Sequence, residues 1–584
     1  ASDRKSASDL ARRTNAQYAI FGTLVGSAND SVRFRATLIN IKNDRAWDYE
    51  GRDSTVEAAA ARFTVAVLAE LGKTHRIGAV RQSSFGSKSI DAMRAFLQGE
   101  QFYRRTSWDS AAASYRRAVS FDNRFAIALR RSAQVTAWQR NGSDSVARAF
   151  RLAAGAANRG LSPRDSLLLA ADSQSAAVAR LPSDSMNWAV LKRLFSTVDE
   201  AARRYPDDPE VWYAVGEARF HQGYGSPVNV TERQTLQAFD KSIALDSAFA
   251  PAYVHAVELA FILDGRRAGL RYAGLYLRLR PTDDEAEGIA IVNAVAGGNS
   301  GNSASDSVLD QASPAAIMAA YQTVRRWPDS AQTALRLLQS TGRRPRTSPT
   351  YVSDSVRLWN FLPLQLAYRG RLSEAYLALG NRPSRIFAEL ALLGGLPADT
   401  AAAVFSRWVK DGLPQAFHAL PWLAATRDSL TIQTLMARAD ADSRRGSEFA
   451  RRGGRYRAAS TRAYLSLVRR DTADALKRFV ALPDTLCIAC YLDRLTAARL
   501  LATRGRLAEA DSLLGQRINS FVTPAEVLIA LERGRVAKRL GRNAEATQAF
   551  RRVVDAWSTG DQTLQPLVTE ARRELATLLK QPGG

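Results

Sequence analysis

Two widely separated windows of the chain carry the same ladder of small and large side chains. In residues 91–124 the ladder is Gly99, Phe102, Trp108, Ala111, Tyr115 and Ala118, and in residues 527–560 it is Gly534, Gly541, Ala546, Phe550 and Val553, at matching offsets. Small residues are needed where two helices cross closely and large ones where the gap between them must be filled, so the ladder specifies an antiparallel helix pair of about 34 residues. One such pair leaves an apolar face uncovered and becomes stable only by stacking on the next. The ladder therefore predicts a linear array of helix pairs in place of a single globular core. Weaker copies lie at Trp212, Gly216, Phe239 and Ser242, where an insertion around 223–233 separates the helices, and at Gly370, Ala375 and Leu379. Others lie at Ala475 and Phe479 and at Gly505, Ala510 and Leu514. The string Gly-Arg-Leu-x-Glu-Ala occurs at 370–375 and again at 505–510, as a turn followed by the start of a second helix.

This ladder is that of the tetratricopeptide (TPR) repeat. The expected fold is mainly α: a TPR-like α-solenoid of antiparallel helix pairs preceded by a small α/β module. A chain of 584 residues exceeds what one hydrophobic core serves, and 46% apolar with 24% charged residues suits a folded helical protein. The pattern divides the chain into an α/β module at 1–75, a linker at 76–90, a front helical lobe at 91–298, irregular repeats at 299–456 and a back lobe at 457–584. The division near 298 follows the Gly-, Ser- and Asn-rich segment 297–303. No run reaches the roughly 18 apolar residues of a membrane-spanning helix, and the longest, 288–296, is about half that.

Only the first stretch shows strand periodicity. Residues 18–25 are rich in β-formers, and residues 32–41 alternate, with Val32, Phe34, Ala36 and Leu38 on one face and Arg33, Arg35 and Thr37 on a wet face. A third strand is expected at 46–50, and helices at 7–14 and 55–71, the second opened by the capping-box spacing Ser54-Thr55-Val56-Glu57. A small sheet with unpaired edges predicts missing strands upstream. The chain also begins at Ala1 without an initiating Met or an apolar signal stretch, which together point to a fragment.

The net charge of +24 invites a nucleic-acid partner, but basic residues are interspersed with Asp throughout and form no aromatic-interleaved stripe. The two local clusters, Arg343-Arg344-Pro345-Arg346 and Arg451, Arg452, Arg455 and Arg457, sit in Gly- or Pro-containing segments expected to be loops. Cys487 and Cys490 form a Cys-x-x-Cys pair, a possible local disulfide. A zinc site lacks evident partners, because His75, His221, His255 and His418 are distant in sequence. His255, on an Ala- and Leu-rich helix, is expected to be a packing residue. Gly72-Lys73-Thr74 ends a helix instead of opening one, and Val67 stands where a phosphate loop needs its first Gly. Arg164-Asp165 and Arg470-Asp471 lack the rest of a kinase catalytic loop. No catalytic residue, cofactor or metal is assigned from the sequence.

The segment DLARRTNAQYAIFGTLVGSANDSVRFRATLINI resembles the latter half of the TolB-like module found beside TPR arrays in bacterial signalling proteins. SIDAMRAFLQGEQFYRRTSWDSAAASYRRAVSFDNRFAIAL, LSPRDSLLLAA and LERGRVAKRLGRNAEATQAFRRVVDAW resemble the C-terminal sensor region of membrane-anchored bacterial serine/threonine kinases. The resemblance implies an extracytoplasmic, periplasmic, non-catalytic region that binds a protein or peptide and signals to a kinase domain. On the repeat grid, Tyr103, Arg104, Glu217, Arg535, Lys538 and Arg539 are the groove-facing candidates, and the last three would suit an acidic peptide. Two other readings stay open: a free-standing TPR adaptor assembling an envelope complex, and a DNA-binding transcriptional regulator.

Overall fold

The computed structural model describes residues 3–13, 16–27, 31–53, 59, 62–63, 66–67, 70, 86–87, 89–139, 145–178, 184–223, 230–297, 303–329, 332–342, 351–380, 382–482, 491–516, 518 and 522–580. The chain is a TPR-like α-solenoid of antiparallel helix pairs preceded by a small α/β module.

Strands β1 (Tyr18–Ser27), β2 (Ser31–Asn40) and β3 (Arg45–Asp53) form an antiparallel sheet in that order. Alternation places Phe34, Ala36 and Leu38 on one buried face, where Phe34 and Tyr49 meet the Phe63 ring edge-on at 6.1 and 5.5 Å. The other face is wet at Arg33 and Arg35 as expected. At its far end, however, Ile39 is fully buried, because the helix Arg4–Arg13 lays Ala7 and Ala11 over Ile39 and Ala19. The expected linker lies largely outside the described residues, as does Arg343-Arg344-Pro345-Arg346.

Ser89 then caps the helix Ile90–Tyr103 by accepting from the Ala92 amide at 3.2 Å. That helix pairs with Trp108–Phe121, Ala126–Gln139 with Ser145–Ala156, Pro163–Ala177 with Asp184–Arg204, and Pro209–Gln222 with Glu232–Leu245. The fifth pair is Pro251–Arg278, broken in the middle at Gly265 (φ +78°). The ladder does what its spacing requires. A Cβ on Gly99 would stand 2.4 Å from the Tyr115 ring, one on Gly216 2.6 Å from Phe239, and one on Gly534 2.8 Å from Phe550. Both Gly-Arg-Leu-x-Glu-Ala strings open with a glycine at φ +75° and close the same fork, Arg371 onto Glu374 and Arg506 onto Glu509, each with a 2.6 Å bond from Nε.

Two expectations change. The helix Asp284–Gly297 packs directly on Pro314–Val324, so the helices on either side of 298–302 share one core. That core reaches Leu338, a second begins at Leu335, and the change of core therefore falls near 335–338. Arg451, Arg452, Arg455 and Arg457 lie in the long helix Glu448–Val468 and not in a loop. Glu448 gathers Arg451 (2.8 Å) and Arg455 (2.6 Å) on one face. A Cβ on Gly454 would come within 2.5 Å of the Ser443 backbone nitrogen, so this glycine marks a close helix approach.

Both arrays close on themselves. In front, the Ala250 amide donates to the Arg104 carbonyl at 3.0 Å and Thr106 Oγ1 lies 2.8 Å from the Tyr276 hydroxyl, joining the first pair to the fifth. At the back, Trp557 Nε1 donates to the Tyr368 carbonyl at 3.1 Å, the Asp561 amide to the Gly370 carbonyl at 2.8 Å, and the Ser373 amide to Asp561 at 2.8 Å. Inside that closure Glu389, 2% exposed, receives Tyr491, Thr523 and the Ala525 amide at the start of Pro524–Arg539. Burial pushes its carboxyl above the usual range despite these donors.

Candidate functional site

Closure determines where the expected groove residues end up. Tyr103 is 0% exposed and does not line a groove: its ring packs on Trp108 at 5.4 Å and beneath the Arg131 guanidinium at 4.3 Å. Arg104 pairs with Asp246 across the front closure. Arg131, 3% exposed, bonds Glu100 at 2.7 Å and Glu210 at 2.7 Å, tying together the first helices of three different pairs. Burial alone would raise the Glu210 pKa, but Arg131 and Arg164 outweigh it and hold the carboxylate well below its usual range. The interior of the front turn is thus filled by its own ion pairs, and nothing in the repeat spacing signals this.

At the back, Arg535 is held by Glu570 and by Glu532 at 2.8 Å, Lys538 by Glu574, and Arg539 donates to the Ala502 carbonyl at 2.9 Å. The acidic complement of Arg535 and Lys538 comes largely from the helix Gln565–Lys580, beyond Asn543–Trp557. An acidic peptide would have to displace it. Glu217 faces two histidines, His255 at 3.5 Å and His221 at 3.6 Å. Burial would raise its pKa, and the two histidines reverse the shift to a net lowering. Cys487 and Cys490 lie outside the described residues.

Open space lies elsewhere, where the front and back turns meet. A cavity of about 840 Å³ is bounded in front by the starts of Glu232–Leu245, the Gly265 break and Trp327, and behind by Pro524–Arg539 and Asn543–Trp557. Its apolar wall includes Phe261, Ile262, Leu263, Trp327, Ile518, Ile529 and Ala530. The Phe261 and Trp327 rings pack at 4.7 Å, which holds the two bulkiest parts of that wall in place. The Gly265 break itself frees the Leu263 carbonyl from regular helix bonding, and Gln548 of the last ladder repeat donates to it at 3.0 Å.

The charged lining is balanced. Arg326, 8% exposed, bridges Glu232 of the front turn and Glu526 of the back turn, the latter at 2.6 Å, and Arg552 joins it on Glu526. Arg233 forks onto Asp264 at 2.6 and 2.9 Å, and Arg533 lies between Asp511 at 3.7 Å and Glu545 at 3.6 Å. Among the described residues lining the cavity there is no histidine, cysteine, lysine or serine. Arginine is protonated at all ordinary pH and suits binding more than proton transfer. The sequence reading missed this site because it joins positions as far as 285 residues apart.

No family model matches the sequence, and no curated protein does. Solved structures that align over much of the chain include the P58(IPK) TPR domain, at 14% identity over 72% of this chain and 100% of that one, with a TM-score of 0.20. IFIT1, as a monomeric mutant with Gppp-AAAA, aligns at 9% identity over 86% of this chain and 96% of that one, TM-score 0.25. The APC/C hetero-tetramer Cut9–Hcn1 aligns at 10% identity, 84% and 100%, TM-score 0.23. The repeats themselves are shown by the close approach of Gly99, Gly216 and Gly534 to the Tyr115, Phe239 and Phe550 rings.

Proposed function

We propose that this chain is a non-catalytic binding scaffold that receives an apolar segment of a protein partner in the cavity between its two turns. The observation that carries the reading is the cavity's composition: an apolar wall that includes Ile262, Trp327 and Ile529, rimmed by carboxylates and guanidiniums already matched to one another. Such a lining gains from burying apolar side chains and gains little from a net charge. The partner's binding segment is therefore an amphipathic stretch, preferentially a helix laid in by its apolar side. This differs from the acidic peptide suggested by Arg535, Lys538 and Arg539, whose charges are spent on Glu570, Glu574 and a backbone carbonyl. The resemblance to kinase-associated sensor regions supports a finer version, in which occupancy of the cavity is passed to a bacterial serine/threonine kinase from the extracytoplasmic side.

The test is selection of helical peptides on the wild-type chain, followed by titration against Ala530→Trp, which fills the cavity, and Leu430→Ala, at an exposed position away from it. Selected peptides are expected to lose at least about tenfold in affinity on the first variant, a difference of about 1.4 kcal/mol, and none on the second. Peptides that bind wild type and Ala530→Trp equally would place the binding surface elsewhere and remove the reading.

A further inference from the structure

Glu217 and His221 stand four residues apart on Pro209–Gln222, a spacing that puts both side chains on one face of the helix. His255, near the start of Pro251–Arg278, reaches the same point from the next repeat. The nearest carboxylate-to-imidazole distances are 3.6 Å to His221 Nε2 and 3.5 Å to His255 Nε2, and one ligand atom from each of the three residues lies within 4.8 Å of the others. Two ligands about 2.0–2.1 Å from a tetrahedral ion are about 3.4 Å apart, which each carboxylate-to-imidazole distance matches, Oε2 serving His221 and Oε1 serving His255, and the 4.8 Å limit leaves a small side-chain movement to bring all three onto one ion. We infer that Glu217, His221 and His255 form a binding site for a transition-metal dication, Zn2+ being the best match.

Three features favour a metal over a simple packing cluster. The His255 ring is held flat against Phe220, with centroids 3.8 Å apart and planes 19° apart, and lies 5.1 Å from the Trp138 ring, so its nitrogen is oriented before any ion arrives. Two imidazoles and one carboxylate suit Zn2+, Ni2+ or Cu2+, whereas Mg2+ and Ca2+ favour oxygen donors throughout. The His221 side chain is 51% exposed against 9% for His255, which gives the ion a path in and leaves a fourth, solvent-facing position for water. The site is separate from the cavity between the turns and stands or falls independently of it.

The experiment uses the full chain without an affinity tag, titrated with Zn2+ by calorimetry and with Co2+ followed by its visible absorption. One ion per chain is expected. His221→Ala and Glu217→Gln should each weaken binding by roughly 100-fold or more, since losing even a residue that only orients a ligand costs about 10–100-fold, while their circular dichroism remains that of the wild type. A chain that takes up neither ion overturns the assignment, as do variants that bind as tightly as wild type. Uptake that disappears in Cys487→Ser/Cys490→Ser but survives in His221→Ala would assign the ion to the cysteines and equally overturn it.

Discussion

Asp283 illustrates how a single side chain can set the pH response of a helical array. Its carboxylate caps the helix Asp284–Gly297, accepting from the Ala286 amide at 2.8 Å, while burial, and then the charge of Glu285, push its pKa up to about 8. Burial also raises Glu285 to about 7. A carboxyl whose folded pKa is raised holds its proton more tightly in the native state. The stability it contributes is therefore full below the unfolded value and is lost as pH rises through the folded one. Unfolding stability should fall between about pH 4 and pH 8 for this reason. Asp283→Asn keeps a capping oxygen and cannot ionise, so thermal melts should show a higher Tm than wild type at pH 8 and no gain at pH 4; equal differences at both pH values would contradict this. Single residues were legible where their partner is near in sequence: Tyr115, Phe239 and Phe550 fill the space left by Gly99, Gly216 and Gly534. Tyr103 and Arg104 were not, because their surroundings are supplied by Phe249 and Asp246, from the other side of the front closure.

At the scale of elements, glycine was the least readable letter, since the same residue serves a turn and a close crossing. Gly453 and Gly454 made their segment look like a loop, yet both lie inside Glu448–Val468. Their different surroundings give opposite predictions. Gly453→Ala meets only the Arg457 guanidinium at 3.5 Å, an ordinary contact with a movable group, and should stabilise by about 0.5–1 kcal/mol through helix propensity. Gly454→Ala drives a methyl into the Asp442 and Ser443 backbone, at 2.6 and 2.5 Å, and should destabilise by about 1–3 kcal/mol. Denaturant melts of the two variants measure both, and a stabilising Gly454→Ala would show that Ser429–Asp442 and Glu448–Val468 do not approach this closely. The helix pairs within 91–124 and 527–560 were legible because amphipathic spacing is local, whereas 299–456 showed only irregular repeats and part of Glu448–Val468 read as a loop. The place where one core gives way to another was not legible, since Gly- and Ser-rich composition at 297–303 signals a bend in the chain and carries no information about what packs across it.

For the molecule as a whole, Arg326 is the side chain on which the two turns depend most directly. Replacing it by alanine removes the guanidinium shared by the nearly buried Glu232 and Glu526, of which Glu526 keeps Arg552, and breaking a buried pair in this way costs about 3–5 kcal/mol. Arg326→Ala should therefore raise hydrogen exchange at 263–265 and 526–530 together; unchanged protection at both would mean that the apolar wall alone joins the turns. The ladder predicted an open line of stacked pairs, and the closures went unread because each depends on polar atoms meeting across a long stretch of chain. The back closure has a kinetic corollary. An open array can mature pair by pair in the order its pairs leave the ribosome, and the front turn, whose core reaches Leu338, can do so once that residue has emerged. The back turn has to wait for Trp557 and Asp561 to reach Tyr368 and Gly370, so nearly two hundred residues of it are synthesised before their last contacts exist. Nascent chains halted before that point should carry a finished front turn and a back turn still vulnerable to proteases.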